Sequence, residues 1–158
     1  MYPDPSLNLS KQTDDIAYFF SHGFDPLNNW SAHMVKIWDR NFPSVEHGFH
    51  YRKFTETAPE IASEILAAPS PWAAMQVGRK HRNKRRKDWQ VVKVGIMTEL
   101  VRAKTTQNKD VLDCLLATGN RKIIENSPWD TFWGIGDDGN GQNQMGIIWM
   151  QIRDELRD

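Results

Sequence analysis

The sequence predicts a predominantly helical α+β fold, compact and single-domain, with a few short strands. Three observations carry that expectation. Apolar residues recur at spacings of three and four over Asp88–Lys104, and again over Gln144–Leu156; each set makes one stripe along a helix. Short apolar runs at Ile16–Phe20, His33–Trp38 and Arg121–Asn126 have strand length rather than helix length. The chain has 158 residues, 39% of them hydrophobic, with seven Trp, which suffices for one core.

Residues 1–15 read as a poorly ordered lead-in, and 16–158 as one domain. His33–Trp38 partly alternates and reads as a strand. Pro43-Ser44 opens a helix running to about Phe54, with Ser44 as N-cap and His47 in the place a capping box gives to Glu. Pro59–Ala68 is a second helix, punctuated by Pro69 and Pro71, and a short helix follows from Trp72. Asp88–Lys104 is the best-patterned helix, with Trp89, Val92, Ile96, Leu100 and Ala103 in its stripe. Asp88 is expected to cap it, with its charge at the positive end of the helix dipole. Lys109–Ala117 is a further helix stopped by Gly119. Arg121–Asn126 is a short strand, and Gln144–Leu156 closes the chain with Met145, Ile148, Trp149, Ile152 and Leu156 on one face.

Composition narrows the function classes. Formal net charge is zero, so the whole-chain balance suggests neither a nucleic-acid coat nor membrane adsorption. One cysteine, Cys114, excludes an internal disulfide and a Cys-based zinc site. The N-terminus lacks a basic segment followed by an apolar one, and no apolar run approaches the roughly 20 residues that span a bilayer. A cytoplasmic protein is expected, and the sequons at Asn8 and Asn29 then mean nothing.

Ser127–Gly146 packs two Trp, three Asp, five Gly and two Asn into twenty residues. Gly and Asn favour a loose linker, whereas Trp129, Phe132 and Trp133 favour a rigid, aromatic-lined loop presenting a small-molecule site. Gly134, Gly136 and Gly139 spell the dinucleotide pattern, but no strand-then-helix context surrounds them, so they read as a tight turn. Asp137-Asp138-Gly139-Asn140 lacks the spacing of a calcium loop. His47 and His50 stand one helical turn apart beside Glu46; without a third ligand they read as buried, hydrogen-bonded histidines rather than a zinc pair.

Arg79–Lys87 holds seven Lys or Arg in nine residues. It is either a solvated loop before the helix or an anion-recognition segment for phosphate or nucleic acid. Glu46 lies in the first turn of a helix and Asp130 lies between Trp129 and Trp133. Each alone reads as a cap or salt-bridge partner. Together in an aromatic pocket they are the equipment of glycosidic chemistry, in which a carboxylate stabilises an oxocarbenium-like sugar or activates water.

The blocks Leu27–His47 with Lys53, then Gly78-Arg79, Arg86–Trp89, Met97, Lys104, Leu115–Gly119, Ile124-Glu125, Asp130 with Trp133–Gly136, Gly141, Asn143, Gly146, Met150 and Arg153 occur in an order that resembles the NADAR superfamily over nearly the whole chain. The resemblance implies cleavage of an N-glycosidic bond between a phosphorylated ribose, or ADP-ribose, and a nitrogen base. It implies Glu46 as the leading catalytic carboxylate, Asp130 as the second acid, and Trp89 as a stacking partner for base or ribose. It implies Lys53, Arg79 and Arg86 as phosphate contacts, and Trp133, Gly134, Gly136 and Asn143 as the loop wall of the site. No metal or organic cofactor is implied, and water is the co-substrate. Riboflavin-pathway intermediates and ADP-ribosylated guanine or related ADP-ribose conjugates, such as ADP-ribose attached to nucleic acid, are the competing substrates. The alternatives are a non-catalytic sensor of NAD-derived nucleotides and a nucleic-acid-binding module using Arg79–Lys87. At the hairpin the family often has Asp-Gly where this chain has Trp38-Asp39.

Overall fold

The computed structural model of the chain describes residues 11–20 and 25–157. Residues 1–10 of the expected lead-in, with the sequon at Asn8, lie outside the described residues. Its remainder folds back onto the first strand: the Thr13 amide donates to Ile16 O at 2.9 Å, and Gln12 bridges to Ala17. In chain order the elements are β1 (Ile16–Phe19), β2 (Val35–Ile37), β3 (Arg40–Phe42), α1 (Val45–Arg52), α2 (Pro59–Leu66), α3 (Pro71–Lys80), a 3-10 turn at Arg82–Lys84, α4 (Trp89–Gln107), α5 (Lys109–Ala117), β4 (Lys122–Glu125) and α6 (Gln144–Glu155). This is the helix-dominated α+β arrangement that the patterning predicts. The described residues form two compact units, 29–109 in one, and 11–20, 25–28 and 110–157 in the other.

In the first unit β2 and β3 make an antiparallel hairpin in which Val35 pairs with Phe42 and Ile37 with Arg40. Its two-residue turn has positive φ at both Trp38 (52°) and Asp39 (56°). That matches the right-handed twist of a hairpin but suits Asn-Gly far better than Trp-Asp. Trp38 is held there by Phe42, edge-on at 6.0 Å, and by the Arg52 guanidinium 4.8 Å above its ring. α1 starts where Ser44 says it should. The Ser44 hydroxyl accepts from the His47 amide and lies 2.8 Å from His47 Nδ1. His47 Nε2 reaches Ala68 O at 3.0 Å, so His47 ties the start of α1 to the end of α2. α2 and α3 both open with Pro at the first turn, where its missing N–H is not needed, and Ser70 caps α3. Phe54, Ala58, Ile61, Ala62, Ile65 and Ala74 form the core between these helices.

α4 departs from its expected pattern in two ways. Asp88 stands at the N-cap without making a side-chain cap. Its carboxylate is taken by Arg86, with Nε at 2.6 Å and Nη2 at 2.9 Å. A bidentate guanidinium outcompetes a lone backbone amide for a carboxylate. The buried face also differs: Trp89, Ile96 and Leu100 are buried, but Met97, Val101, Lys104 and Thr105 join them in place of Val92 and Ala103. A one-stripe reading assumes cover on one side only, and α4 is packed by both α1 and β2.

In the second unit β1 and β4 pair in parallel, Ile16 with Lys122 through Phe19 with Glu125. α6 lies against β4, burying Met145, Ile148, Trp149 and Ile152. Residues 126–143 have no regular element but are densely bonded. Gly141 donates to Ile135 O at 2.7 Å, Gln142 to Thr131 O at 2.8 Å, Asn143 to Gly134 O at 3.0 Å, and the first amides of α6 to Phe132 O and Trp133 O. The tight-turn reading of the glycines holds here, with positive φ at Gly136 and Gly139 and no helix opening at either.

Candidate active site

The site grows from one face of α1. Glu46, His50 and Lys53 are spaced by four and three residues, which stacks them along a single helix face. The Glu46 Oε1 to His50 Nε2 distance is 2.9 Å, and Lys53 Nζ lies 3.1 Å from His50 Nδ1. An ammonium only donates, so His50 Nδ1 accepts and Nε2 carries the proton donated to Glu46. His50 is thus a neutral imidazole in one tautomer. α3 packs Gly78 against its ring so closely that an added Cβ would fall 2.5 Å from Nδ1. The absence of a side chain at 78 is what lets α1 and α3 meet with a histidine between them.

The charges follow from this packing. Glu46 is 9% exposed. Burial alone would raise its pKa, but His50, Lys53 and Arg79 outweigh burial and hold the carboxyl below its ordinary range. Burial lowers the His50 pKa and Lys53 and Arg79 reinforce that, against the pull of Glu46. Burial also brings Lys53 down to about 8, with Arg85, Arg79 and Lys93 adding repulsion and Glu46 opposing. At neutral pH the face therefore presents a carboxylate, a neutral imidazole and an ammonium.

Beside this face a cavity of about 270 Å³ is lined by Lys53, Gly78, Arg79, Arg82 and Arg85. Among the described residues these three guanidiniums make no hydrogen bond or ion pair. Arg86, expected as a phosphate contact, is elsewhere. It is spent on Asp88 and on Glu56 at 3.3 Å, and its amide donates to Lys53 O. Arg82 and Arg85, on and just after the 3-10 turn, stand in the cavity instead. Trp89 is covered as well. It is 3% exposed, packed edge-on against Phe49 at 4.8 Å and under Lys53 Nζ at 5.2 Å, so it floors the lysine rather than offering an open stacking face.

The other expected residues lie in the second unit. One oxygen of Asp130, Oδ1, accepts the amides of Phe132 (2.9 Å) and Trp133 (2.7 Å), which folds the loop, while Oδ2 makes no hydrogen bond among the described residues. Trp133 stacks edge-on against Phe132 at 4.8 Å. Gly134 sits where a Cβ would press on Glu125 O at 2.9 Å. Asn143 accepts from the Glu125 amide and donates to Ile123 O, both at 2.9 Å, so its side chain acts as a strand partner for β4. Among the described residues no cluster of His, Cys, Asp and Glu could hold a metal ion, and no helix is long and apolar enough to cross a membrane.

His50, Gly78, Arg82 and Arg85 were not expected as individual site residues: His50 read as a buried, hydrogen-bonded histidine, which it is, and Arg82 and Arg85 only as part of the Arg79–Lys87 run. The signal for His50 was its place four residues after Glu46 and three before Lys53. Nothing in the sequence separates Arg82 and Arg85 from Arg86.

Comparisons with known proteins give the family. The NADAR domain matches residues 11–157. The chain is 33% identical to N-glycosidase YbiA of Escherichia coli K12 over 145 residues, covering 90% of this chain and 89% of that one. It is 37% identical to N-glycosidase Npun_R5314 of Nostoc punctiforme over 131 residues, covering 82% and 84%. It is 32% identical to the chloroplastic riboflavin biosynthesis protein PYRR of Zea mays over 146 residues, 84% of this chain but 23% of that protein. The NMR structure of E. coli YbiA superposes with a TM-score of 0.80 at 29% identity, covering 95% of this chain and 89% of that one. The chain therefore belongs to the NADAR domain family and stands among its N-glycosidases, hydrolases acting on N-glycosyl bonds.

Proposed function

We propose that the protein hydrolyses the N-glycosidic bond between a phosphorylated ribose, or ADP-ribose, and a nitrogen base, with Glu46 as the catalytic carboxylate. The observation that carries this reading is an ionised, buried carboxylate held by His50 on the same helix face as a lysine that lines a guanidinium-rich cavity. Arg79, Arg82 and Arg85 offer planar forks that suit phosphoryl oxygens. A phosphoryl group anchored there would share Lys53 with the helix face that carries Glu46. The carboxylate then stabilises the oxocarbenium-like ribosyl group and takes a proton from the attacking water.

Two substrate classes fit: early riboflavin-pathway intermediates, in line with the name of the Zea mays relative, and ADP-ribosylated guanine, including guanine in nucleic acid. Purified protein and its Glu46→Gln variant would be incubated with NAD, ADP-ribose, ADP-ribosylated guanine in DNA and the early riboflavin intermediates, and base release followed by chromatography. Release by the wild type alone, with ligand binding kept by the variant, is expected. No release from any of them, with equal nucleotide binding by both proteins, would make the protein a sensor. Salt-sensitive DNA binding lost on neutralising Arg82, Lys84, Arg85 and Arg86, as the sole activity found, would make it a nucleic-acid module.

A further inference from the structure

The resting site holds a contradiction. Departure of a nitrogen base is helped by an acid, yet Glu46 is a carboxylate and the nearest ammonium, Lys53, is tied to His50. We propose that His50 is a proton conduit between Lys53 and Glu46, so that Glu46 serves first as the acid and then as the base of the same turnover. This rests on the N-glycosidase reading and assigns His50 and Lys53 roles within it.

Three observations support the conduit. Both ring nitrogens are engaged, at 3.1 Å to the lysine and 2.9 Å to the carboxylate, which are hydrogen-bond distances at each end. The ring is 5% exposed, and Gly78 leaves it room. Finally, the resting tautomer is the one the conduit needs. Lys53 gives a proton to Nδ1 as the Nε2 proton passes to Glu46 Oε1. Positive and negative charges vanish together, leaving a neutral amine, the Nδ1–H tautomer and a carboxylic acid.

The cycle closes without any outside reactant but water. Glu46 protonates the leaving nitrogen as the glycosidic bond breaks, its electron pair departing with the base. The restored carboxylate faces the ribosyl cation. Water adds to the anomeric carbon and loses a proton to Glu46. The conduit then runs in reverse: Glu46 returns a proton to Nε2, and Nδ1–H returns one to the Lys53 amine. The charged groups around the imidazole set its readiness: Glu46 from α1, Lys53 just beyond it, Arg79 from α3, Arg85 after the 3-10 turn, and Lys93 from α4 acting on Lys53. Only Glu46 favours a cationic ring; Lys53 and Arg79 oppose it, which keeps the ring a neutral relay.

The test separates charge and orientation from proton transfer. Lys53→Arg keeps the cation but holds its proton throughout the neutral range. His50→Gln keeps an N–H donor toward Glu46 but transfers no proton. Each variant is expected to lose on the order of 100-fold in kcat, with KM within a few fold of wild type. Either variant keeping kcat within about threefold of wild type would overturn the conduit and leave His50 a merely orienting residue. Carbon-13 NMR titration of the Glu46 carboxyl and the Lys53 Cε gives a readout that needs no turnover, and a thermal melt certifies each variant as folded. Mutually dependent titrations in the wild type that become independent in His50→Gln are expected, and independent titrations in the wild type would overturn the proposal. If the wild type releases no base from any compound tested, the proposed function fails, and the NMR titration alone then decides the conduit.

Discussion

Lys53 is held as a cation in a place that disfavours cations, and the consequence is measurable in stability. Its pKa falls from 10.5 to about 8 on folding. Between these values the unfolded chain binds the extra proton, so stability rises with pH across that window and the full penalty is present below it. The shift corresponds to about 3 kcal/mol by the usual conversion. Urea melts from pH 7.5 to 10.5 should show an upward slope that disappears in Lys53→Met. On the acid side His50 is neutral in the fold, so stability falls as pH drops below its ordinary 6.5 and the unfolded chain takes up a proton. Glu46 adds to the loss lower down, as pH falls below 4.5 toward its depressed native value. Activity should have an acid limb below 6.5 and a basic limb near 8. At Gly78 a methyl group would meet His50 Nδ1 at 2.5 Å, against a ring pinned at both ends. Gly78→Ala should lose about 1–3 kcal/mol by overpacking, and more activity than stability, read by a melt beside an initial-rate assay.

At the scale of elements, α1 is both scaffold and site. Ser44 caps it and simultaneously orients His47, whose far nitrogen bonds Ala68 O. Removing that cap in Ser44→Ala should destabilise by about 1–2 kcal/mol in a denaturant melt and loosen the turn that carries Glu46. The β2–β3 hairpin works in the opposite sense. Asp39 occupies left-handed backbone that glycine adopts freely, so Asp39→Gly should raise stability by up to about 1 kcal/mol with activity unchanged, a result a melt and a rate measurement settle together. The starts of α1 and of the Pro-opened α2 were legible because Ser and Pro act locally, whereas Pro71 read as punctuation and in fact opens α3. The cap on α4 was misjudged because Arg86, two residues from Asp88, competes for the same carboxylate, and pattern reading has no term for that competition.

Over the whole molecule the formal charge is zero, yet seven cationic residues sit between Arg79 and Lys87. The fold divides that run by use. Arg86 is paired, while Arg79, Arg82 and Arg85 line the cavity. KM for a phosphorylated substrate should therefore rise with ionic strength, and Arg82→Ala with Arg85→Ala should raise it further while flattening the slope, as steady-state kinetics from low to high salt would show. Arg86→Ala should leave that slope unchanged and instead lower stability. The rigid loop 126–143 belongs to this scale too, since carbonyls within it cap α6 and Asn143 ties that helix to β4.

The sequence by itself determined what depends on neighbours along the chain: the helix starts at Ser44 and Pro59, a helix from Trp72, the stop at Gly119, the strand-length runs, and the family through its ordered blocks. It also marked Glu46 by its place in the first turn of a helix, and Lys53 through the family resemblance. Only the tertiary structure decided which arginines line the cavity, that Trp89 is covered by Phe49 and Lys53, and that His50 joins the carboxylate to the lysine. Those choices depend on burial and on competition between groups remote in sequence, and hydrogen-bond partners across helices are fixed only once α1, α3 and α4 are packed.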